Sequence, residues 1–251
     1  MGFGLNLKST GKERYARQMI INGWGDAGQE KLKKATVFIA GAGGLGSPVA
    51  IYLAAAGVGN IRICDHGMPE LSNLNRQILH SESDIGHYKV FSAKDSIASV
   101  NPHVTVYPLT DMIQSENVES LVGDSDIIVD CLDNFETRHV LNELAVKRSL
   151  PFVHAGIHGL SGQVTFIHSP ETPCLRCVFP SVVPKQVFPV VGVTPGIIGS
   201  IEAAETLKWL VNIGTTLKNK LLIWDGDTMD FQKIDIKKDP DCPVCGELLN
   251  D

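Results

Sequence analysis

The sequence predicts an α/β fold: a mostly parallel sheet with helices on both faces, continued by an antiparallel C-terminal part. Three observations predict it. Short apolar, β-branched runs alternate with helical stretches from Thr36 to Val153. The first run reaches a helix through a glycine-rich turn, as a strand–helix–strand unit requires. From Gln163 the pattern changes character and closes on two further runs, Leu221–Trp224 and Phe231–Ile236.

The elements follow in order. Residues 11–34 are polar and helix-like, interrupted by Gly23, Gly25 and Gly28. Thr36–Ala40 (TVFIA) is a strand. Pro48–Ala56 is a helix, with Pro48 in its first turn and Ser47 as its cap. Ile61–Cys64 is the next strand and ends at Asp65. Lys89–Val100 is a helix stopped by Asn101-Pro102, and Val104–Tyr107 a strand. Ser115–Val122 is a weak helix, Asp126–Cys131 a buried strand, Phe135–Ser149 a strong helix and Phe152-Val153 a short strand. Gln163–His168 opens the antiparallel part, and Ser181–Gly192 is a long loop. Gly196–Val211 is a helix whose Ile197, Ile201, Ala204, Leu207 and Leu210 recur on one face. The expected organisation is an N-terminal helical segment, 1–34, and a single domain, 35–251. Within that domain, 35–155 is the half that carries the glycine-rich turn and 156–251 the C-terminal half.

With 251 residues, 43% hydrophobic and 20% charged, the chain can bury a large core without a disulfide framework. A formal charge of −6 disfavours a protein that wraps nucleic acid by neutralising phosphates. Met1–Thr10 has no apolar stretch of the signal-peptide kind. Thr36–Ile61 carries no charge, but its glycines and Pro48 divide it into strand, turn and helix, so no membrane span is expected. Four of the six cysteines form C-x-x-C pairs, which points to metal or redox chemistry in a reducing compartment, hence the cytoplasm.

Four sites carry chemistry. Gly41-Ala42-Gly43-Gly44-Leu45-Gly46 lies where a strand hands over to a helix, so phosphate can approach backbone N–H groups at a positive helix end. That is the phosphate turn of a Rossmann-like sheet, and Asp65 follows where a carboxylate accepts from ribose hydroxyls. The competing reading is glycines kept for close packing and a solvated Asp65. Next come Leu71-Ser72-Asn73-Leu74-Asn75-Arg76-Gln77 and Lys89. Singly, Arg76 and Lys89 read as surface charges; together, just past a phosphate loop, they favour clamping of a triphosphate over hydride transfer. The third site, Asp130-Cys131-Leu132-Asp133-Asn134, ends a buried strand. There Asp133 is suited to Mg²⁺ and Asn134 to capping the helix at Phe135. The fourth is Cys174, Cys177, Cys242 and Cys245, a set of four thiolates suited to structural Zn²⁺, with a redox pair as the alternative. Cys64 and Cys131 read as inert core residues; His154 and His158 flank Gly156 and read as core or loop residues, with lining of the pocket as the alternative.

In order, Arg14-Tyr15-Ala16-Arg17-Gln18, GAGGLG, Asp65, SNLNRQ, Lys89, CLDN, the paired C-x-x-C and Thr194-Pro195-Gly196 resemble the MoeB/ThiF family, relatives of the ubiquitin-activating enzymes. The resemblance runs from about Arg14 to Cys245. It implies an adenylyltransferase that uses ATP and Mg²⁺ to adenylate the C-terminal glycine of a small ubiquitin-like sulfur-carrier protein ending in Gly-Gly. It assigns ATP contacts to Gly44, Asp65, Asn73, Arg76, Lys89, Asp133 and Asn134; with Gly41, Gly43, Gly46, Ser72 and Gln77 from the same motifs, these are the expected nucleotide-binding residues. It also implies a homodimer in which Arg17 reaches the neighbouring subunit's site, the plain alternative being a helix-surface charge. The expected catalytic set is therefore Arg17, Arg76, Lys89 and Asp133.

The chain departs from the family in two places. Val178–Val193 has no cysteine, so a covalent carrier step there is not expected and sulfur would come from a separate donor. Asp65-His66-Gly67 lacks a second acidic residue common in relatives. The competing functions are an NAD-dependent dehydrogenase and a nucleotide-binding zinc module without catalysis.

Overall fold

A computed structural model describes residues 12–181 and 189–246. The expectations placed on Met1–Thr10 and on the centre of the 178–193 loop lie outside the described residues. Two helices, α1 (Lys12–Met19) and α2 (Gly25–Lys34), precede the sheet. The strands are β1 (Thr36–Ala40), β2 (Asn60–Cys64), β3 (Thr105–Leu109), β4 (Ile127–Asp130), β5 (Phe152–His158), β6 (Ser161–Ile167), β7 (Lys220–Asp225) and β8 (Asp230–Asp235). The remaining helices are α3 (Gly46–Ala56), α4 (Lys89–Val100), α5 (Val118–Val122), α6 (Phe135–Lys147), α7 (Leu175–Val178) and α8 (Val193–Val211).

All eight strands form one sheet in the order β3-β2-β1-β4-β5-β6-β7-β8. The pairs from β3 through β5 are parallel and those from β5 through β8 antiparallel. Strand β1 explains why the centre is apolar throughout. Val37 and Ile39 face a core shared with α2, α3, α4 and α8, whereas Phe38 and Ala40 face a second core shared with α5 and α6. A strand covered on both faces reads as a continuous apolar run. The uncharged segment from Thr36 resolves into β1, a turn, α3 and the start of β2. Among the described residues, no helix is long and apolar enough to cross a membrane.

Several boundaries differ from expectation for identifiable reasons. Helix α3 begins at Gly46, and Ser47 is not its cap: its Oγ donates to Gly43 O (2.7 Å) from inside the first turn. No side chain caps this helix; Ser47 N donates to Gly43 O (3.0 Å) and Pro48 has no N–H, so the backbone N–H groups it can offer a ligand are those of the glycine turn at its start. Strand β3 runs through Pro108 because it is an edge strand, where a missing N–H is tolerated. Helix α5 starts at Val118, three residues late, because Asn117 accepts from Gln114 N (2.8 Å) and turns the chain first. Strand β5 extends to His158 because the antiparallel partner β6 pairs along its whole length. Helix α8 takes in Thr194 and Pro195, whose missing N–H costs nothing in a first turn.

Candidate active site

In the strand order, β1 and β4 are the neighbours from which the chain winds outward in opposite directions. Ligands of open α/β sheets bind in the crevice at the carboxyl ends of such a pair. Here those ends are joined closely: Cys131 N donates to Ala40 O (2.9 Å) and Gly41 N to Cys64 O (2.8 Å). Gly41 has φ +98°, and a Cβ there would stand 2.7 Å from Cys131 O. A Cβ on Gly46 would lie 2.1 Å from Gly41 O. Both positions therefore require glycine for the turn itself, whatever it binds.

The other motifs converge on this turn. Asp65 at the end of β2 accepts from Ala42 N through one oxygen and from Gly67 N through the other, both at 2.8 Å. It thus shapes the glycine turn, and a carboxylate with two such bonds retains lone pairs for a ribose hydroxyl. Arg76 and Pro195 both pack on Gly44: a Cβ there would meet Pro195 Cβ at 3.3 Å and Arg76 Cγ at 3.7 Å. The backbone at Gly192 crosses Asn75 equally closely, since a Cβ would lie 2.3 Å from Asn75 O. The SNLNRQ segment and the start of α8 are therefore strapped over the glycine turn. Arg76 Nη1 donates to Ser72 O (2.9 Å) and Asn75 Oδ1 (3.0 Å), which holds the guanidinium on its own segment. Asn73 Oδ1 accepts from Glu70 N (3.2 Å), and Gln77 N donates to Asn73 O (2.9 Å), so Asn73 organises the segment. Gln77 is buried, with its amide beneath Gly43. Lys89 opens α4, donates its N–H to Gly67 O (3.0 Å) and brings Nζ to the Asp65–Gly67 bend.

On the β4 side, Asn134 caps α6 as expected, accepting from Thr137 N (2.9 Å), and Asp133 is exposed beside it. Beneath them lies an arrangement that motif reading did not single out. Asp130 is fully buried and pairs with Arg138 Nε (3.2 Å) and His154 Nδ1 (2.6 Å). Burial pushes the Asp130 carboxyl up, but the Arg138 charge and the His154 hydrogen bond outweigh it and hold the carboxyl below its usual range. His154 is pushed down by burial, so its Nδ1–H donates to Asp130 from a neutral ring. Arg138 also donates to Leu132 O (2.6 Å) and Ala155 O (2.8 Å), while Leu132 N donates to Asp130 Oδ1 (3.1 Å). Both backbone groups of the residue before Asp133 are thus fixed by one buried ion pair. The sequence signal was present but slight: a carboxylate ending an otherwise apolar run.

Arg17 stands apart. It is exposed on α1, whose neighbouring side chains dock at the far end of α3: Gln18 Nε2 donates to Ala56 O (2.7 Å), and Tyr15 packs on Gly57. Eleven residues of α3 separate that end from Gly46, about 16 Å. Its own chain does not bring Arg17 to the crevice. Cys64 and Cys131 are buried as expected, and burial pushes the Cys64 thiol up to about 12.

Cys174, Cys177, Cys242 and Cys245 meet beside Val146 at the C-terminal end of α6, every sulfur within 4.8 Å of the rest. Sulfur–sulfur separations are 3.9 Å (Cys174–Cys177), 3.6 Å (Cys174–Cys242) and 3.5 Å (Cys177–Cys245). Four thiolates at about 2.3 Å from a tetrahedral ion would lie about 3.8 Å apart, whereas a disulfide needs about 2.05 Å. The donor set and spacing therefore fit a tetrahedral ion such as Zn²⁺.

A family model described as ThiF matches residues 15–244. The SAMP-activating enzyme E1 of Haloferax volcanii is 40% identical over 249 residues, covering 97% of this chain and 92% of that one. A sulfur carrier protein adenylyltransferase of Thermus thermophilus is 41% identical over 246 residues, covering 94% and 91%. An adenylyltransferase and sulfurtransferase MOCS3 of Culex quinquefasciatus is 39% identical, but the chain spans only 55% of its length. Among solved structures, E. coli MccB with ATP superposes with a TM-score of 0.80 at 25% identity, covering 93% of this chain and 74% of that one. On sequence over nearly its whole length and on fold, the chain belongs to the ThiF family.

Proposed function

We propose that this protein adenylates the C-terminal glycine of a small ubiquitin-like sulfur carrier, releasing pyrophosphate from ATP. The observation that carries the reading is the strapping of Arg76 and of the α8 start onto Gly44, with Lys89 at the Asp65 bend. Two cationic side chains from separate segments, with the apolar start of α8 beside them, ring one glycine turn at the switch point of the sheet. A dehydrogenase has no general use for that ring, and the resemblance to named adenylyltransferases agrees with it.

The chemistry sets the roles. A carrier carboxylate must approach the α-phosphate, and both are anions. Arg76 and Lys89 offset the repulsion and stabilise charge as it grows on the phosphate oxygens. Arg17, anchored away from its own crevice, is supplied by the second subunit of a homodimer. The N–H groups of the glycine turn at the start of α3 bind phosphate, and Asp65 orients the ribose. Asp133, held by the Leu132 clamp, would hold Mg²⁺, which draws charge toward the leaving pyrophosphate. The carboxylate is already ionised at neutral pH, so no general base is needed. Catalysis is placement and electrostatics. The four cysteines hold Zn²⁺ and tie the C-terminal segment to the 174–177 turn. With no cysteine in the 178–193 loop, any sulfur loading needs a separate donor that attacks the carrier adenylate and releases AMP, and the protein works in the cytoplasm.

The test is ATP–pyrophosphate exchange with each Gly-Gly-ended carrier of the source genome. Exchange dependent on one carrier supports the reading. ATP binding without exchange for any carrier favours a non-catalytic module, and nicotinamide-cofactor binding without ATP dependence favours a dehydrogenase.

A further inference from the structure

His80 lies in the segment after SNLNRQ and is buried, yet both ring nitrogens are engaged. Nε2 lies 2.8 Å from Ala42 O in the glycine turn, and Nδ1 meets Ser92 Oγ on α4. A carbonyl oxygen only accepts, so Nε2 carries the proton. Nδ1 then accepts from the Ser92 hydroxyl. This neutral form satisfies both nitrogens, and burial holds the imidazole below its usual range.

The bonds close a ring. Ala42 N donates to Asp65, Gly67 N donates to the same carboxylate, and Lys89 N donates to Gly67 O. One turn along α4, Ser92 holds His80, and His80 returns to Ala42 O. The preceding residue reinforces the ring: Leu79 N donates to Ser47 Oγ on α3 (3.3 Å), and Ser96 Oγ on α4 donates to Leu79 O (2.6 Å). A trans peptide points its C=O and the following N–H in opposite directions. Holding Ala42 O toward the buried imidazole therefore turns the Gly43 N–H away from it.

We propose that His80 is a positioning residue for nucleotide binding: it sets the Ala42–Gly43 peptide and fixes the distance between the glycine turn and the helix that carries Lys89. The proposal rests on the reading of the glycine turn as the ATP-phosphate site, and goes beyond it by assigning a role to a residue that touches no substrate.

MgATP affinity, measured by calorimetry on the full chain without any carrier, tests it. His80→Leu keeps the bulk and removes the donor, so it should weaken MgATP binding roughly tenfold. His80→Gln places an amide N–H where Nε2 stood and should restore affinity to within about threefold of wild type. Ser92→Ala, a smaller change, should weaken binding by roughly threefold and serves if His80→Leu does not fold. Wild-type affinity in Ser92→Ala or in folded His80→Leu overturns the proposal. So does equal weakness of His80→Leu and His80→Gln, because a purely structural loss would not be rescued by a donor at one atom. A wild-type protein that does not bind MgATP overturns it together with the glycine-turn reading. A wild-type protein that binds MgATP but exchanges no pyrophosphate overturns adenylation alone.

Discussion

Replacing Arg138 with methionine strands a charge in the core. Asp130 has no exposed surface, and Arg138 has 7% of its side chain exposed. The change removes the ion pair at 3.2 Å and the donors to Leu132 O and Ala155 O. Removing one partner of a buried pair costs about 3–5 kcal/mol. For a chain of this size, about 2–4 °C of melting temperature accompany each kcal/mol, so the midpoint should fall by about 6–20 °C. Asp130→Asn in the same background removes the stranded charge, and the double variant should be more stable than the summed single effects by about 1 kcal/mol or more. Urea unfolding at neutral pH reads all four proteins. The folded-state Asp130 carboxyl is held below its unfolded value, so its stabilisation is present above the unfolded value and lost as pH falls through the folded one. In Arg138→Met the unpaired, buried carboxylate takes up a proton at higher pH than the paired one, so the gap between the two proteins should narrow as pH falls from neutral. A neutral-pH loss under about 1 kcal/mol, or strict additivity in the cycle, would refute the buried-pair argument.

Other outcomes follow from the site. Arg76→Ala and Lys89→Ala should fold normally and lose pyrophosphate exchange by roughly a hundredfold or more, since each removes charge aimed at the reacting phosphate; near-normal exchange in both would remove them from the mechanism. Arg17→Ala and Lys89→Ala should each be inactive alone. Mixed, they should recover roughly a quarter of wild-type activity, because half the dimers are hybrids, each with one intact site; no recovery in verified hybrids would end the in-trans assignment. Cys245→Ser should abolish bound zinc, measured by elemental analysis, and lower the midpoint by roughly 5 °C or more; an unchanged metal content would remove this cysteine from the ligand set.

Much of this was legible in the sequence, and the reasons are physical. Strands β1, β2 and β4 are covered on both faces, so their apolar runs announced themselves. The glycine turn was legible because Gly41 and Gly46 leave no room for a Cβ, a constraint that acts on neighbouring residues and so leaves a local pattern. The cysteine pairs were legible because ligand spacing within each knuckle is fixed, although 68 residues separate Cys174 from Cys242. What local pattern could not give was approach over distance. That Asn75 and Arg76 are strapped beneath Gly192 and against Pro195 is a property of the crossover, with no mark in either segment. His80 sits in a polar stretch without periodicity, and Arg138 resembles any helix arginine until β4 and β5 place Asp130 and Ala155 beside it. Ser47 misled because a serine before a proline at a helix start usually caps, whereas here the N-terminus is kept open.

Adenylation at this site requires the triphosphate to lie in the crevice between β1 and β4, against Arg76 and Lys89. Crystals grown with MgATP measure it directly. Phosphate oxygens are expected within hydrogen-bonding distance of both side chains and of the N–H groups of the glycine turn at the start of α3. A triphosphate bound elsewhere, with those cations facing solvent, would contradict it.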